Sequence, residues 1–194
     1  MKVLCVIPAR YASTRLPGKP LKDIAGKPMV VRVYERASKA KRVSETLVAT
    51  DDQRIYDAVL AHGGKAQMTR ADHPTGTDRL AEVVASRPDA DLIVNVQGDE
   101  PLIDPGLIDQ LAACFEQDSD LQMATVKTEI SDAAEQKNPN NVKVVTDRDG
   151  YALYFSRSLL PYPPHDGTPV YKHIGIYAYR RDFLLQYAKM PETP

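Results

Sequence analysis

Three cations and two hydroxyls follow the first apolar run of the chain. Ile7-Pro-Ala-Arg-Tyr-Ala-Ser-Thr-Arg-Leu-Pro-Gly-Lys-Pro20 sets Arg10, Arg15 and Lys19 with Ser13 and Thr14 in one loop. Guanidinium and ammonium groups give charge-assisted hydrogen bonds to phosphate oxygens, and hydroxyls with the backbone N–H groups beside Gly18 line a concave anion site. Between Arg10 and Lys27 there are five Lys or Arg and one acid, Asp23. Outside that stretch 20 basic residues face 25 acidic ones, so the positive charge is local although the net charge is −1. A focused patch of this kind fits a small polyanion such as a triphosphate better than a nucleic acid. The plainer alternative is a solvated basic loop. Position favours the ligand, because open α/β sheets bind ligands beyond the carboxyl ends of their strands and this loop leaves the first strand.

Leu92-Ile-Val-Asn-Val-Gln-Gly-Asp-Glu-Pro101 carries the second signal, an apolar strand that ends in an amide and two carboxylates. Asp99 is placed to hold Mg²⁺, a hard cation that uses one or two carboxylates and takes further oxygens from substrate phosphates. Gln97 has both donor and acceptor, so it reads either a base edge or a sugar hydroxyl. A turn or helix-capping role is the competing reading of Asp99-Glu100. Thr75-Gly-Thr-Asp78 opens a helix after a strand, which makes it either a second anion or polar-base site or an ordinary capped helix start.

Other chemistries find little support. His62, His73, His165 and His173 are scattered without HExxH or a zinc-ligand spacing, so no zinc site is expected. Cys5 and Cys114 lie in apolar stretches and read as two buried small hydrophobes. Neither a basic stripe nor a stacking platform extends beyond the phosphate loop, which argues against nucleic acid. No apolar run approaches the roughly 20 residues that span a bilayer, and the first residues lack a signal-peptide pattern. A cytoplasmic protein without membrane insertion is expected.

The elements that must position these residues alternate. Val3–Ile7, Thr46–Thr50, Lys65–Thr69, Leu92–Val96 and Met123–Lys127 read as strands. Pro28 suits a first helical position, ahead of an apolar face of Met29, Val30, Val33, Tyr34 and Ala37. Asp51 or Asp52 caps a second helix carrying Ile55, Val59 and Leu60. Thr77 or Asp78 caps a third around Leu80, Val83 and Val84, and Pro105 starts a fourth with Leu107, Ile108, Leu111 and Phe115. This βαβ alternation predicts an α/β fold with a mostly parallel sheet and flanking helices. Val142–Thr146 and Tyr151–Phe155 around Asp149-Gly150 form a β-hairpin, followed by a proline-rich irregular loop over Leu160–Gly167, a strand over His173–Tyr179 and a short helix near Phe183–Tyr187. The expected organisation is a nucleotide-binding core over 1–130 and a hairpin, sugar-binding and dimerisation part over 131–194 of the same domain.

PARxxSTRLPGKP, VNVQGDEP, NVKVV, ALYFSR and KHIGIYAYR occur in that order, and with them the chain resembles the 3-deoxy-D-manno-octulosonate (Kdo) cytidylyltransferase family along its whole length. The resemblance implies a Rossmann-like nucleotidyltransferase sheet and the reaction of CTP with Kdo to give CMP-Kdo and pyrophosphate, for lipopolysaccharide or capsule. It implies that Arg10, Ser13, Arg15 and Lys19 hold phosphates, with Arg10, Lys19 and Asp99 as the catalytic set. Ala9, Thr75, Gly76 and Gln97 would read the base, with Arg70 and Thr77 in the same substrate-binding segment. Asp99 would carry magnesium. Arg157, His173 and Tyr177 would face the acidic sugar, Arg157 as the carboxylate partner. A homodimer is implied as well. Family members continue past a segment like Met190–Pro194, and a second metal carboxylate comes from that continuation. The expectation is therefore weak turnover or none from 194 residues, with a longer chain active.

Overall fold

Val3–Ala9 is apolar enough to be buried on both faces, and in the computed structural model it is the central strand, with every residue but Pro8 buried. The structure describes residues 1–12, 16–162 and 167–191. In chain order the elements are β1 (Val3–Ala9), β2 (Asp23–Ile24), β3 (Lys27–Pro28), α1 (Met29–Ala37), β4 (Glu45–Thr50), α2 (Gln53–Ala61), β5 (Ala66–Met68), α3 (Gly76–Ala85), β6 (Leu92–Asn95) and α4 (Pro105–Gln117). Then come β7 (Met123–Glu129), α5 (Ala133–Lys137), β8 (Lys143–Thr146), β9 (Ala152–Ser156), β10 (Tyr171–Arg180) and α6 (Arg181–Tyr187). The chain forms two compact units, one of residues 1–124 with 176–194 and the other of residues 125–175.

In the first unit β1 pairs in parallel with β4 on one side and β6 on the other, β4 pairs in parallel with β5, and the Tyr177–Arg180 part of β10 pairs antiparallel with β6. The mostly parallel α/β sheet expected from the sequence is the one observed. Leu4, Val6, Leu47, Ala49 and Ile93 form one core with Leu80, Val83 and Val84 of α3 and Leu184 of α6. The alternation of a strand sends Val3, Cys5 and Ile7 to the opposite face, where α1 packs on β1 and β4 and α4 packs on β6. Arg180 fixes the end of α4, its guanidinium donating to the Phe115 and Asp118 carbonyls at 3.0 and 3.1 Å, the favoured place for a cation on a helix.

In the second unit β8 and β9 form the expected antiparallel hairpin, with a register irregularity at Val145/Thr146. The Tyr171–Lys172 part of β10 pairs with the other edge of β8. Among its described residues few are buried: Ile130, Lys143, Val144 and Val170.

Several local expectations need correction. Cys114 is exposed, its thiol turned along α4 to the Gln110 carbonyl at 3.4 Å, because it sits between the buried positions Leu111 and Phe115 on the solvent side. Leu60 is 44% exposed for the same reason, one step round α2 from buried Val59. Pro28 is the N-cap of α1, and α3 starts earlier than expected, with Thr75 as N-cap in a capping box closed by Asp78. Asp52, of the two candidates, caps α2. The short pair β2–β3 and helix α5 are too brief to leave a periodic signal. Of the proline-rich loop, Pro163 to Asp166 lie outside the described residues.

Candidate active site

Arg10, Lys19, Gln97 and Asp99 meet at a cavity of about 190 Å³, lined also by Pro8, Ala9, Met29 and Gly98, beyond the carboxyl ends of β1 and β6. The local backbone explains how two segments about 80 positions apart come together. Gly98 passes so close to β1 that a Cβ there would stand 2.7 Å from the Pro8 carbonyl oxygen, which only glycine permits. On the other side Gly18, at φ 68°, caps the short 3-10 turn Lys19–Leu21 and donates its N–H to the Tyr11 carbonyl at 2.9 Å. That closure turns the loop back so that Lys19 faces Asp99.

The charges are held in readiness. Arg10 is half-buried and donates to the His73 carbonyl at 2.6 Å, which fixes one corner of its guanidinium and leaves other donors for a ligand. Lys19 Nζ lies 2.6 Å from Asp99 Oδ2, with side chains 40% and 49% exposed. An ion pair this exposed contributes only about 0–1 kcal/mol. Such a pair costs little to open, which leaves the ammonium and the carboxylate free to change partners. Among the described residues no group of three or more His, Cys, Asp or Glu is placed to hold a metal. Asp99 alone still suits magnesium, which completes its shell from phosphates and water.

Ala9 is buried at the end of β1 and lines the cavity. Gly76 approaches the same strand, with Pro8 at 3.8 Å from where its Cβ would be. Thr75 spends both its side chain and its backbone N–H on the capping box with Asp78, which leaves its carbonyl. Thr77 is the second residue of α3. Arg70 does not line this cavity: it is 68% exposed, forked on Asp72 at 2.9 Å for both bonds, and lines a groove of about 590 Å³ between α3 and α6. Ser13 and Arg15 lie outside the described residues.

Sequence reasoning missed the supports of this site. Tyr11 is covered by the Arg54 guanidinium, 3.4 Å from its ring centroid, and Arg54 is in turn forked on Asp52 at 2.9 and 2.7 Å. Those bonds hold the Asp52 carboxyl below the usual carboxylate range. His73, whose carbonyl holds Arg10, is bonded through its ring to Glu82. Arg79 is fully buried, bonded to the Thr69 hydroxyl and 3.2 Å from Asp51. Its pairing ties the first turns of α3 to the end of β4, and a charged residue gives no periodic signal for such burial.

In the first unit Tyr177 pairs with Asn95 of β6 and stacks on Tyr179, ring centroids 6.0 Å apart. Burial raises its phenol pKa. In the second unit His173 lies edge-on to Phe155 at 5.1 Å, and both line a cavity of about 180 Å³ with Thr125, Lys127 and Thr146. Burial lowers the His173 pKa. Its Nε2 is 2.9 Å from the Thr125 hydroxyl. That hydroxyl donates to the Ile174 carbonyl at 3.2 Å, so Nε2 is assigned as the N–H donor to it. Arg157 is exposed after β9 and donates to the Pro139 carbonyl at 2.9 Å.

Residues 4–194 match the family model described as cytidylyltransferase. A 3-deoxy-manno-octulosonate cytidylyltransferase from Geobacter metallireducens is 55% identical, the match covering all of this chain and 81% of that protein. One from Fusobacterium nucleatum is 53% identical over all of this chain and 79% of its own length. The solved structure of a CMP:2-keto-3-deoxy-manno-octonic acid synthetase complexed with CTP superposes with a TM-score of 0.94 at 52% identity, covering 100% of this chain and 80% of that one. A 4-diphosphocytidyl-2C-methyl-D-erythritol synthase from Anaerococcus prevotii, 16% identical with a TM-score of 0.62, shares the fold. By the family match and by identities above 50% along its full length, the chain belongs to the cytidylyltransferase family, among the 3-deoxy-manno-octulosonate cytidylyltransferases.

Proposed function

We propose that this chain activates Kdo, joining it to CMP from CTP with release of pyrophosphate. The observation that carries the reading is the meeting of Arg10, Lys19, Gln97 and Asp99 around one cavity at the sheet's carboxyl edge. A relative 52% identical to this chain is known in complex with CTP. In the reaction the anomeric hydroxyl oxygen of Kdo forms a bond to the α-phosphorus. The bond from that phosphorus to its bridging oxygen breaks, and pyrophosphate leaves with the electron pair while the hydroxyl proton passes to water.

Such a transfer is accelerated mainly by positioning and by neutralising charge on the leaving phosphates. Lys19 and Arg10 supply that charge, with Ser13 and Arg15 on the same loop. The base is read by Gln97 and the backbone of Ala9, Thr75 and Gly76, with Thr77 beside them. Asp99 is the residue that would hold Mg²⁺, which when bound neutralises phosphate charge. Arg157, His173 and Tyr177 bind the sugar acid, Arg157 through its carboxylate. His173, with its lowered pKa, is neutral at pH 7 and acts as a hydrogen-bonding group to the sugar.

We further propose a cytoplasmic homodimer whose product feeds lipopolysaccharide or capsule assembly. Among the described residues no helix is long and apolar enough to cross a membrane. The edge strand β9 exposes Leu153 and Tyr154 by 67% and 62%, apolar surface of the kind subunits cover. Sedimentation at micromolar concentration tests the dimer. A nucleotide panel tests the base site: CTP supports product formation and UTP, GTP and ATP do not, whereas equal use of UTP refutes reading by Gln97.

A further inference from the structure

Lys143 is the side chain that the proposed reaction leaves unexplained. It lies on β8, in the NVKVV segment, and is wholly buried although it carries an ammonium group. None of the ion pairs found among the described residues includes it. Its Nζ donates to the backbone carbonyls of Asn138 and Asn141, at 2.9 and 2.7 Å. A buried charge is costly, and an apolar residue of similar length would serve packing better. Something other than packing accounts for a lysine here.

Both carbonyls belong to the turn Asn138-Pro-Asn-Asn141. The turn is closed by the Asn141 N–H to the Asn138 carbonyl at 3.1 Å and braced by the Asn141 amide on the Glu135 carbonyl at 2.9 Å. One of the two carbonyls between them, that of Pro139, accepts from Arg157 Nη1 at 2.9 Å. The ammonium therefore grips the turn at both ends while Arg157 leans on its middle. Lys143 is also the register partner of Ser156, next in sequence to Arg157. One residue thus pairs with the end of the strand that leads into Arg157 and grips the turn against which the guanidinium rests.

We propose that Lys143 is a positioning residue for binding the sugar acid: it holds the 138–141 turn so that the Pro139 carbonyl aims the Arg157 guanidinium at the sugar carboxylate. The inference rests on the reading of Arg157 given above. A planar fork recognises a carboxylate only in one orientation, so freeing its anchor weakens binding without removing the charge.

The test is a double-substitution cycle read as KM for Kdo and KM for CTP, from initial rates of pyrophosphate release. Arg157→Ala raises KM for Kdo by about tenfold or more. Lys143→Met raises it by a comparable factor and leaves KM for CTP within about twofold. In the Arg157→Ala background Lys143→Met adds less than about twofold. Lys143→Gln keeps one carbonyl engaged, gives an intermediate rise, and carries the test if the methionine variant does not fold. Multiplying effects in the double variant, or equal rises in both KM values, overturn the role of Lys143 alone. An unchanged KM for Kdo in Arg157→Ala overturns the reading of Arg157 and this inference with it.

Discussion

Gly98→Ala is the substitution whose consequence follows most directly from the geometry of the site. A Cβ at this position would stand 2.7 Å from the Pro8 carbonyl oxygen, with Ala9 Cβ and Ile7 Cγ2 at 3.7 Å behind it. Restoring an ordinary contact of 3.4 Å or more needs a backbone movement of about 0.7 Å, and both atoms concerned are held by the sheet and its edge. Overpacking of this kind costs roughly 1–3 kcal/mol. At about 2–4 °C per kcal/mol for a chain of this size, Tm falls by roughly 2–12 °C. The shift also moves Gln97 and Asp99 away from Arg10 and Lys19, and sub-ångström to ångström misplacement lowers turnover by roughly 10–100-fold. Thermal melts and initial rates of pyrophosphate release measure the two effects. Gly106→Ala is the control, because its Cβ meets only the movable Asp104 carboxylate at 3.3 Å and a helix favours alanine. Native Tm and turnover in Gly98→Ala would refute the argument that this close approach assembles the site.

Three further outcomes are expected. Arg79→Met removes a buried cation and strands Asp51 and Thr69, lowering stability by about 3–5 kcal/mol in a urea melt. Adding Asp51→Asn should recover part of the loss, and a neutral single variant would contradict the pairing. Burial lowers the His173 pKa, so as pH falls the unfolded chain takes up this proton first. The contribution is whole above the unfolded value of about 6.5 and declines below it. His173→Gln should therefore flatten the fall in stability as pH drops below about 6.5, and an unchanged slope would count against a buried neutral ring. Ellman's reagent should titrate Cys114 in the native protein and Cys5 only after unfolding, since Cys5 is fully buried with its thiol pushed up to about 12. Two fast thiols would contradict the position of β1.

Much of the frame was legible because burial on both faces of a parallel sheet demands continuous apolar runs, and Val3–Ile7 and Leu92–Val96 are such runs. Of the capped helices, α2 followed from an aspartate at 51 or 52 and α4 from Pro105. The residues that meet at the cavity were legible because charge stands out at the end of an apolar strand, as with Arg10 after β1 and Asp99 after β6. Supports made of backbone or of buried charge were not. The His73 carbonyl that holds Arg10 has no residue signature, and Arg79 and Lys143 look like surface cations until the fold encloses them. Cys114 shows the converse error: an apolar neighbourhood along the chain does not say which side of a helix a residue occupies. The fork of the Arg70 guanidinium on Asp72, beside the groove between α3 and α6, also left no mark in the sequence.

The central claim is that Asp99 and the Arg10–Lys19 loop serve transfer of a cytidylyl group to Kdo. The most direct test is pyrophosphate release from CTP and Mg²⁺, with and without Kdo, by this chain and by Asp99→Ala. The account predicts release that requires Kdo and falls at least about 100-fold in Asp99→Ala, while Tm stays within a few degrees because the Lys19–Asp99 pair is exposed. Release without Kdo, or an unchanged rate in Asp99→Ala, would contradict it.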